Sequence, residues 1–374
     1  MRLGVVINPV AGLGGAVGLK GTDGMDTVAE ALRRGAVPQA GLRARRALQI
    51  LAQRCPGTVV LTAPGPLGAD WLANISLEVT LLPQKTPRKD NGADTQITVA
   101  AMAGQVDLII FAGGDGTARD VLAAAPDTAM LGIPCGVKMH SGVFALSPAN
   151  AGHLIADLMQ TDASHPSFTE AEVMDIDEAA LRAGHIAPHL YGMARIPARP
   201  RRMQAAKGRA GARDDQAALA LAAAELAKQM PPDTLYIIGP GASAGQVVSA
   251  LGEMPTLLGV DAVQGGKVVA RDAQAAELHA LTTQARAVRL VLGVTGQQGF
   301  LLGRGNQQID PGVIRAAGGR DALDILATQA KLNALAQPCL WVDTGCAELD
   351  QVLSGYVRVR TGAGEMQMMR IAAA

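Results

Sequence analysis

The sequence predicts an α/β protein of two domains: a Rossmann-like parallel-sheet domain over residues 1–166 and a mixed α/β domain rich in strands over residues 167–374. Three observations predict it. In the first part of the chain, short apolar runs alternate with helical stretches, as strands buried on both faces alternate with their covering helices. Several of those runs end in glycine-rich turns. Beyond Ser167 the pattern shifts to paired strands interleaved with further α/β elements, and 374 residues exceed what one core ordinarily fills.

Leu3 to Ile7 reads as the first buried strand, followed by a glycine-rich loop from Asn8 to Gly24 and a helical stretch ending near Gln53. Thr58 to Thr62 and Leu77 to Leu82 are the next strands, with the turn Pro64-Gly65-Pro66 after the first. Thr95 to Ala103 is helical, Val106 to Phe111 a buried strand, Thr117 to Ala125 a helix, and Ala129 to Ile133 a strand ending at Pro134. In the second domain, Glu172 to Asp177 and His189 to Ile196 are strands joined through Arg182-Ala183-Gly184. An alanine-rich helix covers Asp214 to Gln229, and strands follow at Thr234 to Ile238, Thr256 to Val260 and Val288 to Leu292. Tyr356 to Arg360 and Met366 to Ile371 form a terminal hairpin around Thr361-Gly362-Ala363-Gly364. The segment Pro197 to Asp215, rich in Arg, Gly and Pro, is expected to be the most mobile loop.

Composition excludes several classes. Lys plus Arg equals Asp plus Glu at 33 each, and binding to nucleic acid rests on an excess of positive charge. The cysteines (Cys55, Cys135, Cys339, Cys346) are far apart with no Cys-x-x-Cys, so they read as reduced thiols and not as a metal site. No apolar run reaches the ~20 residues that span a bilayer, and the N-terminus has no signal-peptide pattern. The expectation is a soluble cytoplasmic protein acting on small molecules as a homo-oligomer, with neither nucleic acid nor membrane as partner.

The chemistry concentrates in glycine turns. Leu108 to Ala112 runs into Gly113-Gly114-Asp115-Gly116-Thr117, a strand, a turn and a helix start. Glycines let the backbone approach a polyphosphate, and freed amides at a helix N-terminus favour negative charge. Asp115 in that turn could hold Mg²⁺ or accept the proton of an attacking hydroxyl. The structural alternative is a tight connection with Thr117 or Asp115 as N-cap. Asn8 with Gly12, Gly14 and Gly15, continuing to Lys20, forms a second ligand loop after a strand. A third follows the next strand, where Gly136, Lys138, His140 and Ser141 are candidates. Loops at the carboxyl ends of neighbouring parallel strands converge on one crevice, so these three belong together. Arg304 and Asn306, in Gly303 to Gln308, could grip a phosphate or nucleotide edge, or simply form a polar turn.

Two features compete with this reading. Gly239-Pro240-Gly241-Ala242-Ser243-Ala244-Gly245, with Asp261 about 20 residues on, superficially meets a dinucleotide fingerprint. The basic run Arg195, Arg199, Arg201, Arg202, Lys207, Arg209 and Arg213 could hold polyphosphate or a nucleotide tail, but it has no aromatic for base stacking.

Taken together these segments resemble the ATP-NAD kinase family, within the larger group that shares the Gly-Gly-Asp-Gly turn with lipid kinases and phosphofructokinases, and most closely its AcoX-type branch. The likeness rests on Asn8-Pro9 with Gly12, Gly14 and Gly15, Gly18 to Gly24, Phe111 to Asp120 and Gly132 to Ala145. In the second half it rests on Glu172 to Asp177, Tyr236 to Gly241, Gly259-Val260-Asp261, Gly303 to Gln308 and Val342 to Gly345. The resemblance implies an active site between the two domains and transfer of the terminal phosphate of ATP, or of polyphosphate, to the 2′-hydroxyl of NAD. Asp115 would position or deprotonate that hydroxyl, with Mg²⁺ balancing phosphate charge. Typical members open the second domain with an Asn-Glu or Asn-Asp pair, where this chain has Asp175-Ile176-Asp177. That departure leaves open a different hydroxyl acceptor, such as one from ketone or diol catabolism, or a non-catalytic nucleotide sensor.

Overall fold

The computed structural model describes residues 1–19, 25–83, 92–136, 139–160, 168–176, 188–198, 213–296 and 298–374. Lys20, Lys138, Asp177, Arg182-Ala183-Gly184 and the basic run from Arg199 to Arg209 lie outside them. The chain forms two compact units, Met1–Leu13 with Gly21–Ala206, and Gly14–Lys20 with Lys207–Ala374.

Unit 1 is built on a five-stranded sheet of order β3-β2-β1-β4-β5, all parallel. The strands are β1 (Leu3–Ile7), β2 (Val59–Thr62), β3 (Glu78–Leu81), β4 (Leu108–Gly113) and β5 (Ala129–Pro134). Every residue of β1, β4 and β5 is buried, the signature of central parallel strands covered on both faces. The helices are α1 (Met25–Arg33), α2 (Ala40–Arg54), α3 (Gly92–Met102), α4 (Asp115–Ala124) and α5 (Pro148–Gln160). Helices α2 and α5 pack on each other and on the sheet, and α3 and α4 form a second pair. The helical stretch expected to run to Gln53 is thus two helices, because Gly35 at φ +82° ends α1 and Pro38 follows.

The antiparallel pair β6 (Phe168–Ile176) and β7 (Pro188–Pro197) belongs to unit 1. Their register slips between Val173 and Met174, leaving Tyr191 as the extra residue of a bulge. Val173, Ala194 and Ile196 join the core of the five-stranded sheet, β7 lies against β5, and β6 against α4. The sequence pattern assigned this pair to the second domain, whereas its inward face completes the first core.

Unit 2 carries α6 (Arg213–Lys228), β8 (Thr234–Ile238), α7 (Ala242–Ala250), β9 (Asp261–Gln264), β10 (Lys267–Ala270), α8 (Ala275–Gln284) and β11 (Ala287–Gly293). It continues with β12 (Phe300–Leu302), α9 (Pro311–Ala317), β13 (Leu323–Leu326), α10 (Gln329–Asn333), β14 (Cys339–Val342), α11 (Ala347–Leu353), β15 (Gly355–Gly362) and β16 (Glu365–Ala373). These strands form one mixed sheet of nine, ordered β10-β9-β8-β11-β13-β15-β16-β14-β12. Two cores flank it: α8 and α9 supply Leu278, Val313 and Ile314 to one, and α6 and α7 supply Leu219, Ala223, Val247 and Val248 to the other. The strand expected at Thr256 to Val260 is instead a turn. Asp261 Oδ2 accepts the Thr256 N–H at 2.7 Å, which holds the apolar run back on itself, and pairing begins only at Asp261. The hairpin β9–β10 turns on Gly265 and Gly266, both at positive φ. Among the described residues no helix is long and apolar enough to cross a membrane.

Candidate active site

The strand order places β1 between β2 and β4, so the loops leaving β1 and β4 diverge at a topological switch point. Ligand crevices open there, at the carboxyl ends of the strands. Asn8, directly after β1, donates from Nδ2 to Thr117 Oγ1 at 3.0 Å, while its own Oδ1 accepts the Val10 N–H at 3.2 Å. Gly12 sits at φ +72°, and a Cβ there would lie 1.8 Å from the Cys135 carbonyl oxygen, so only glycine lets this loop meet the loop after β5. A Cβ on Gly113 would lie 2.4 Å from Thr117 Cβ, and one on Gly114 would lie 3.1 Å from Gly136 Cα. Four glycines therefore draw three loops together around the start of α4.

Helix α4 begins at Asp115, with Gly114 as its extended N-cap, and among the described residues no side chain caps the first turn. The capping role considered for Thr117 or Asp115 is thus not the one they play. The first-turn amides are left for an anion, and Gly114 and Gly116 are the half-exposed residues of the turn. Asp115 itself is 9 % exposed. Its Oδ1 accepts the Ser141 N–H at 3.0 Å and the Ser141 hydroxyl at 2.6 Å. Its Oδ2 accepts the His140 N–H at 2.7 Å, with His140 Nδ1 at 3.3 Å. A carboxylate only accepts, so Nδ1 carries the hydrogen of this contact, and Nε2 is buried with no partner among the described residues.

His140 and Ser141 are held there by the chain on both sides. Gly132 N–H donates to Val143 O and Ala145 N–H returns to Gly132 O, folding the segment back against β5. A Cβ on Gly132 would strike Phe144 at 2.3 Å, whose ring stands edge-on to Phe111 with centroids 5.5 Å apart. Such an aromatic pair adds about 1 kcal/mol beyond its buried area. On the other side β6 takes part: Gly142 N–H donates to Glu172 O and Met174 N–H to Ser141 Oγ, each at 2.9 Å. Cys135, Glu172 and Met174 lie in segments that carry the family likeness, but no side-chain type singles them out as site residues, because each contributes a backbone atom.

Unit 1 thus gathers Asn8, Gly12, Gly113, Gly114, Asp115, Gly116, Thr117, Gly136, His140 and Ser141. Of the other expected residues, Lys20 and Lys138 lie outside the described residues and the rest belong to unit 2. Gly14 and Gly15 belong to unit 2, where the bare Gly15 gives room to Gln307 and Ala16 O accepts the Ala275 N–H. Arg304, also in unit 2, is buried and pairs with the buried Asp343 at 2.9 Å, its guanidinium stacked 4.2 Å from the centroid of Phe300. Asn306 spans its own turn, accepting from Gly303 N–H at 2.9 Å and donating to Leu301 O at 2.7 Å. These two residues brace the 303–306 turn. The dinucleotide-like turn before α7 is real as a strand-to-helix turn, but Asp261 is 2 % exposed and accepts the Thr256 and Asp272 amides, which removes it as a ribose ligand.

Mg²⁺ held by protein side chains does not fit this donor set. Among the described residues no group of three or more His, Cys, Asp or Glu could hold an ion, and the single carboxylate of Asp115 does not make a cage for one.

Comparison with known proteins gives no match among curated proteins or solved structures. Family models do match: the ATP-NAD kinase N-terminal domain over residues 3–163 and the ATP-NAD kinase C-terminal domain over residues 233–371. The first spans the whole parallel sheet with its glycine turn and the second the nine-stranded sheet but for the last two residues of β16, in the order of the chain, and with both halves matched the chain belongs to the ATP-NAD kinase family.

Proposed function

We propose that the protein is a kinase that transfers the terminal phosphoryl group of ATP to a hydroxyl, with the 2′-hydroxyl of NAD as the favoured acceptor. The observation that carries this is the uncapped first turn of α4 beside the buried carboxylate of Asp115, at the switch point of a parallel sheet. The family membership supports kinase chemistry. The amides of the turn would bind the polyphosphate, and Mg²⁺ would arrive with the nucleotide, coordinated by its phosphates, to offset their charge.

In the transfer, the acceptor oxygen bonds to the γ-phosphorus as the bond to ADP breaks and its electron pair leaves with ADP. The acceptor hydroxyl would hydrogen-bond to Asp115 Oδ2 by displacing His140 Nδ1, the longest of the four contacts at 3.3 Å, and its proton would leave by that oxygen to solvent. Catalysis comes from position and fixed charge. Purified protein with ATP, Mg²⁺ and NAD is expected to form NADP, and Asp115→Asn to lose at least about 100-fold in kcat. No NADP with either ATP or polyphosphate removes NAD as acceptor. A second reading, another small hydroxyl compound as acceptor, is favoured by Asp175-Ile176-Asp177 where typical members carry Asn. An acceptor panel scored by ADP release separates the two.

A further inference from the structure

We infer that Ser141 is a positioning residue for the transfer step, orienting Asp115 from the edge of β6, and that it does not contact phosphate. The inference rests on the phosphotransfer reading above. Ser141 is wholly buried, which already separates it from a polyphosphate lying along half-exposed amides. Its hydroxyl has one proton and two oxygens within reach, Asp115 Oδ1 at 2.6 Å and Met174 O at 3.4 Å. The shorter contact, to a carboxylate, takes the proton. Met174 N–H, at 2.9 Å, then donates into the lone pair that Ser141 Oγ has left. The bonds run one way: Met174 N–H to Ser141 Oγ, and Ser141 O–H to Asp115.

The edge of β6 is suited to this. Glu172 and Met174, two residues apart, turn their backbone groups to the side away from β7, where Gly142 and Ser141 take them. Ser141 thus gives Oδ1 both its N–H and its O–H, fixing the carboxylate plane so that Oδ2 is the oxygen offered to the acceptor. The position of β6 is thereby transmitted to the catalytic carboxylate through one hydroxyl.

The test is a set of variants assayed for turnover and for amide hydrogen exchange. Ser141→Ala is expected to lower kcat about 10- to 100-fold with the KM for ATP and acceptor within about twofold, and Ser141→Thr, which keeps the hydroxyl, to recover most of the loss. Met174→Pro removes the donating N–H and sets the ring Cδ against Ser141 Oγ, on the side of β6 that faces away from β7, and is expected to be at least as slow as Ser141→Ala. Because the two act in series, the double variant should be no slower than the slower single variant alone. Exchange of the His140 amide, which is bonded to Asp115, should quicken about tenfold in both single variants. Thermal unfolding near that of the native protein confirms that each is folded. The inference is overturned if Ser141→Ala keeps kcat within twofold, if it instead raises the KM for ATP at unchanged kcat, or if the two substitutions multiply. Should the native protein turn over no acceptor at all, the phosphotransfer reading fails separately. Exchange then decides the coupling: faster exchange at His140 supports it and unchanged exchange overturns it.

Discussion

Asn8 donates from its side-chain amide to the hydroxyl of Thr117 at 3.0 Å, tying the loop after β1 to the first turn of α4. Asn8→Ala removes this bond and the one from Val10 N–H, and is expected to cost about 1–2 kcal/mol in urea unfolding. Asn8→Asp can still accept from Val10 and from the Thr117 hydroxyl, so it should destabilise less. It places a negative charge beside the turn, however, and should raise the KM for ATP more than Asn8→Ala does. The opposite ranking in KM would argue against phosphate at this turn.

Gly113→Ala puts a methyl 2.4 Å from the Cβ of a β-branched, buried neighbour, Thr117. Neither side can move without shifting the turn, so a loss of about 1–3 kcal/mol is expected, with activity lost below the melting temperature as well. Thr117→Ser leaves the methyl position of Thr117 empty but not its Cβ, so the double substitution should recover little.

Arg304 and Asp343 form a buried pair, their side chains 4 % and 3 % exposed. Removing either partner alone breaks this buried ion pair, and Arg304→Met or Asp343→Leu should each lower stability by about 3–5 kcal/mol in denaturant titration. The two losses should not add. An Arg304 variant that stays fully stable but binds ATP poorly would instead make this arginine a phosphate ligand.

Burial pushes the Cys339 thiol above its ordinary value, so at a given pH it holds less thiolate and reacts more slowly. In the native protein at pH 8, an alkylating reagent should modify the half-buried Cys55 and Cys346 before Cys339 and Cys135, as read by peptide mass mapping. Rapid labelling of Cys339 in folded protein would contradict its placement in β14.

The parallel sheet and its glycine turn are legible in the sequence because both are local. Leu108 to Ala112 is continuously apolar, and Gly113-Gly114 follows at once. What is not legible depends on partners far along the chain. Arg304 has the residue type of a phosphate grip, and only the fold shows Asp343 waiting beside it. His140 and Ser141 stand out as site residues, and only the fold shows that both donate to Asp115. The run Thr256 to Val260 has strand composition, and a single carboxylate, Asp261, overrides it. The hairpin β6–β7 was assigned by its strand pattern to the wrong core, since alternation shows that a face is buried and not against what.

The grouping of Gly14–Lys20 with the second unit has a consequence for cutting the molecule apart. The backbone passes between units at residues 13–14, 20–21 and 206–207, so neither unit is a single stretch of chain. A fragment starting at Lys207 would lack the strand of backbone whose Ala16 carbonyl receives Ala275 N–H and whose Gly15 lies against Gln307. Its gap would match a short glycine-rich peptide, so fragment complementation in trans, and not simple excision, is the way to isolate the second unit.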